Sequence, residues 1–118
     1  MFSERDTQRL QDIVENADAI GSYIEGMTFE AFTRDRKTMD ATERCIERAI
    51  EATIQIGPAK MAEVLRTFPA AEVRGMGNRL RHEYGMINTS TVWNTATGDI
   101  PALREACARM LAGLNNGQ

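Results

Sequence analysis

Apolar residues recur at three- and four-residue steps along almost the whole of this chain. That period is the α-helical one. Leu10, Ile13, Val14, Ala17, Ile20 and Ile24 fall on one face of a first helix, with Ser3 and Asp6 placed to cap it, and Gly26 ends it. Thr28 to Phe32 reads as a short helical turn with Thr28 as its cap. A second long helix starts after Asp35, capped by Asp35 or Thr38. Its stripe is Met39, Thr42, Ile46, Ala49, Ile50, Thr53 and Ile56, and Gly57-Pro58 stops it. Met61, Val64 and Leu65 suit a short connecting helix before Phe68-Pro69.

A third long helix is expected from about Pro69 to Tyr84, on the stripe Val73, Met76 and Leu80. Gly75 and Gly77 sit inside it, at about 1 kcal/mol each relative to alanine. Close approach of another helix is the plain reason to keep them. The run Asn88-Thr89-Ser90-Thr91 is rich in capping residues and leads to a short helix at Val92-Trp93. Asp99 then caps a last helix with Pro101 in its first turn. Its face is Ile100, Leu103, Ala106, Cys107, Met110, Leu111 and Leu114, and Asn115 to Gln118 are expected to fray. With no strand pattern and short connections, the expected fold is all-α. It is an antiparallel up-down four-helix bundle with short extra helices, built as one domain over 1–118.

Charge narrows the function classes. The chain has 14 Lys and Arg against 17 Asp and Glu, a net charge of -3. A basic coat for nucleic acid is excluded. The balance is uneven, however. Residues 60–118 carry seven basic and five acidic side chains, while residues 1–59 carry seven and twelve. Twelve of the basic residues are arginines, which offer the planar paired donors that match carboxylate or phosphate oxygens. Cys45 and Cys107 match no metal spacing, and with one histidine in the chain no Cys/His metal site assembles. Two thiols fit a reducing cytoplasm better than secretion, and no apolar run is long enough to span a membrane.

Only the stretch Arg74-Gly-Met-Gly-Asn-Arg-Leu-Arg-His-Glu-Tyr84 concentrates unusual chemistry. Asn78 and Arg79 precede His82 by four and three residues, so all three share one helical face. Guanidinium and imidazole together suit phosphate chemistry: arginine pairs with the oxygens, and histidine moves a proton near neutral pH. Arg74 and Arg81 are further candidates to bind phosphate. Read without other context, such a pair is more often a solvated or salt-bridged surface. Trp93 and Phe68 read as core or bundle-end residues, the methionines as core filler, and the acidic first two helices as a solvated face.

The run Asn78-Arg-Leu-Arg-His82-Glu-Tyr84 resembles the HepT-like branch of the HEPN superfamily. The flanks agree: Tyr23 to Phe32 is similar to the family's loop after the first helix. Glu51-Ala52 is similar to the end of its Gly-Glu-Ala signature, and Val92-Trp93 and Asp99-Ile-Pro-Ala-Leu103 to its closing segment. The resemblance covers about Asp6 to Leu111. It implies an all-α HEPN-like bundle that pairs as a homodimer. It further implies a metal-independent endoribonuclease toxin, needing no cofactor, whose antitoxin is a minimal nucleotidyltransferase. His82 would transfer protons at the scissile phosphate and Tyr84 would accept AMP from the antitoxin. Asn78 matches the polar position after the motif arginine.

One departure falls at the site itself. The family's arginine stands five residues before the histidine, and that position here is Gly77. The glycine of Gly-Glu-Ala is Ile50. Three readings of Gly77 stay open. Arg79 takes over from the same face, Arg74 reaches in from the preceding turn or across a dimer, or the chain is an inactive binding module. A two-fold pairing would pool Arg74, Arg79, Arg81 and His82 from two copies into one positive cleft.

Overall fold

A computed structural model describes residues 1–66 and 88–116. The described residues are helical, with no strand among them: α1 Glu4–Ile24, α2 Phe29–Thr33, α3 Arg36–Ile56, α4 Pro58–Val64, α5 Thr89–Asn94 and α6 Ile100–Asn116. A π-helical turn, Thr95–Asp99, joins α5 to α6. The helix expected over 69–84 lies outside the described residues, as does Phe68.

The starts of these helices are local chemistry. The first turn of a helix leaves backbone N–H groups without carbonyl partners, and short polar side chains supply them. Ser3 Oγ accepts from the Asp6 N–H and Asp6 Oδ2 accepts from the Ser3 N–H, both at 3.0 Å, a reciprocal capping box. Thr28 Oγ1 accepts from the Ala31 N–H at 3.1 Å. Asp35, rather than Thr38, caps α3: its Oδ1 accepts from the Thr38 N–H at 3.0 Å and its Oδ2 from the Thr38 hydroxyl at 2.8 Å. Those two donors, the N–H first, hold the Asp35 carboxyl below its usual range. Asn88 caps α5, its Oδ1 accepting from the N–H groups of Ser90 at 2.9 Å and Thr91 at 3.3 Å. Between α3 and α4, Gly57 takes φ +96°, a conformation that side chains with a Cβ rarely adopt, and Pro58 follows in the first turn of α4.

Helices α1 and α3 run antiparallel. Arg9 near the start of α1 donates to Gln55 near the end of α3 at 2.9 Å. Helix α6 is antiparallel to α1 as well, since Leu103, Ala106 and Cys107 meet Leu10 and Ile13 while Ile100 lies with Ile20. The core has two halves. One holds Leu10, Ile13, Ala52, Ile56, Met61, Val64, Leu65, Leu103, Ala106 and Cys107. The other holds Ala17, Ile20, Phe32, Cys45, Ile46, Ala49, Val92, Ala96 and Ile100. Each large aliphatic or aromatic side chain buried here is worth roughly 1.5–3 kcal/mol. Cys45 and Cys107 are buried free thiols, and burial pushes Cys107 up to about 12, so it is a packing residue and no nucleophile.

Two expectations are corrected. The buried face of α3 differs from the stripe Met39, Thr42, Ile46, Ala49, Ile50, Thr53 and Ile56, because Cys45 and Ala52 are buried while Met39, Ile50 and Thr53 are only half-buried. The second correction concerns Asp99. It does not cap a fresh helix: the backbone stays helical from Thr89 through the π-helical turn into α6, and Asp99 is buried at the end of that turn. Helix α6 is described through Asn116, and Gly117 and Gln118 lie outside the described residues.

Candidate functional site

His82, Asn78, Arg79, Arg74, Arg81 and Tyr84 all lie outside the described residues, and so does Gly77. The structure instead describes what holds the two flanks of that stretch. On the upstream side, α4 is seated by Met61, Val64 and Leu65 in the first core half. It is also tied across the fold by Lys60 Nζ, which donates to Asp6 Oδ2. The Asp6 carboxyl is almost inaccessible, and the Lys60 ammonium foremost, with the Ser3 N–H second, holds it down to about 2. On the downstream side, the Asn88 cap begins a helix whose Val92 lies in the second core half. The chain therefore leaves the described residues at one end of the bundle and re-enters them at the other.

The segments that carry the resemblance outside the site are explained by packing. The loop after the first helix and the closing segment meet: the Phe32 and Trp93 rings lie 5.0 Å apart between centroids, and Phe29 and Trp93 6.2 Å apart, both tilted. Phe32 is fully buried and Trp93 half-buried, as the core reading of Trp93 expects. Ala52 is buried beside exposed Glu51, and Ile100 and Leu103 are fully buried. These positions serve the packing of the bundle.

One concave surface stands out among the described residues. A groove of about 810 Å³ runs between α1 and α3, lined by Arg9, Asp12, Asn16, Arg44, Arg48 and Glu51 among others. Sequence reading treats this face as acidic and solvated. The structure shows mixed charge, because Arg9 on α1 and Arg44 and Arg48 on α3 share it with the carboxylates. Several of these groups already bond within the chain: Arg44 pairs with Glu47 at 3.4 Å, and Gln55 donates to Glu51 at 2.9 Å. The four-residue step from Arg44 to Arg48 was the available signal. Among the described residues no group of His, Cys, Asp and Glu is arranged to hold a metal, and no helix is long and apolar enough to cross a membrane.

The model of the family described as "Ribonuclease HepT-like" matches residues 13–110. The chain belongs to the HepT-like ribonuclease family. Among its HepT-like relatives, a Methanocaldococcus jannaschii protein named "Putative RNase" is 31% identical over 102 residues, covering 86% of this chain and 84% of the relative. A second from the same organism, with the same description, is 30% identical over 89% of this chain and 90% of the relative. A Thermococcus cleftensis protein named "Probable ribonuclease HepT" is 32% identical over 80% of this chain and 86% of the relative. No solved structure matches the chain. The matched span contains the whole of Arg74 to Tyr84, so the HepT-like family membership and the one chemically unusual stretch coincide.

Proposed function

We propose that this chain is a single-domain, cytoplasmic, homodimeric, metal-independent endoribonuclease of the HepT-like type. In this reading it is the toxin subunit of a type VII-like toxin–antitoxin pair. What supports it is the family match over 13–110 with Asn78-Arg-Leu-Arg-His-Glu-Tyr84 inside it. A ribose 2′-hydroxyl attacks the adjacent phosphorus, a 2′-O–P bond forms, and the P–O5′ bond breaks. His82 moves the protons: one leaves the 2′-hydroxyl, and one reaches the departing 5′-oxygen. Arginine stabilises the charge on the pentacoordinate phosphate, with Arg79 on the His82 face and Arg74 and Arg81 nearby. Asn78 completes the polar set. A minimal nucleotidyltransferase partner silences the enzyme by transferring AMP from ATP to the Tyr84 hydroxyl, with release of pyrophosphate.

A second reading has its own observation. Gly77 stands where the family's arginine belongs, which favours a catalytically inactive module that still partners a nucleotidyltransferase or binds nucleotide. Removing one charged donor from such a transition state costs roughly 10²–10³ in rate, so the two readings predict very different activities.

The deciding experiment incubates the protein with a mixed RNA pool in chelator, beside His82→Ala and Gly77→Arg. The nuclease reading expects cleavage by the parent that His82→Ala abolishes. An inert parent that gains cleavage with Gly77→Arg overturns it in favour of the inactive module. For the partner, mass spectrometry after incubation with the cognate nucleotidyltransferase and ATP should find AMP on Tyr84. A tyrosine left unmodified while the transferase labels another substrate rejects that role.

A further inference from the structure

We draw no further inference here: the strongest candidate, the groove between α1 and α3 lined by Arg9, Asp12, Asn16, Arg44, Arg48 and Glu51, is a mixed-charge exposed surface with charges partly paired inside the chain, and nothing in the structure shows what covers it.

Discussion

The two halves of the core are closed in different ways. Among the described residues, the half around Leu10, Ile13 and Leu103 holds no fully buried ring, only half-buried Phe2 packed against it, and its edge is held by an ion pair, Lys60 to Asp6, built onto the capping box at Ser3. The half around Ile20, Ile46 and Ile100 is filled by Phe32 and covered by Trp93. Aromatic closure works through volume and contact, which do not depend on pH. The charged closure works through ionisation, and a nearly buried carboxylate is tolerable only while it is paired. One bundle thus has an end that responds to packing and an end that also responds to acid.

The largest effect expected is on the aromatic side. Phe32→Ala empties a fully buried position, and denaturant unfolding should show a loss of about 3–5 kcal/mol. Leu10→Ala, also fully buried, is the matching deletion in the other half and should cost about 2–5 kcal/mol. If Phe32→Ala costs under 1 kcal/mol, the ring is not what closes that end.

Acid should separate the halves. The folded pKa of Asp6 lies below its ordinary value, 3.8 lowered to about 2. The folded state therefore prefers the ionised form. Its contribution is full above about pH 4 and is lost as pH falls through 2. Asp6→Asn should lower Tm at neutral pH, and its Tm should converge on the parent's between pH 4 and 2. A constant Tm gap across that window would mean the carboxylate charge is not what matters. Asp35 is lowered in the same direction, so parent and Asp6→Asn must both keep it for the difference to isolate the Lys60 pair.

The smallest effect has the opposite sign. Thr42 is fully buried on α3, and among the described residues its Oγ1 has no hydrogen-bond partner. An orphan hydroxyl carries its desolvation cost without return. Thr42→Val should raise stability by about 1 kcal/mol, read in the same denaturant titration. A loss would show that the hydroxyl is satisfied in solution.

These contrasts also explain what was legible in the sequence. The caps at Ser3, Thr28, Asp35 and Asn88 could be read because a cap and its N–H partner lie two or three residues apart. The Lys60–Asp6 pair could not, since 54 residues separate its members. The sequence reading starts a separate last helix at an Asp99 cap, after the short helix at Val92-Trp93. Burial of Thr95 and Ala96 overrides that break and keeps the helix going. Cys45 and Ala52 were missed because a bundle helix wedged between neighbours buries more than a two-position seam. The candidate site was legible only as a motif, Asn78, Arg79 and His82 at helical spacing, and those residues lie outside the described residues.

The unbroken path through Thr95–Asp99 has a consequence for packing. A break between α5 and α6, as a separate helix capped by Asp99 requires, would leave α5 to pack independently of α6. There is none. From Thr89 to Asn116 the backbone is helical without interruption and contributes to both core halves. Val92, Ile100 and Leu103 therefore anchor one continuous helical path in both core halves, so α5 and α6 share their packing rather than docking separately.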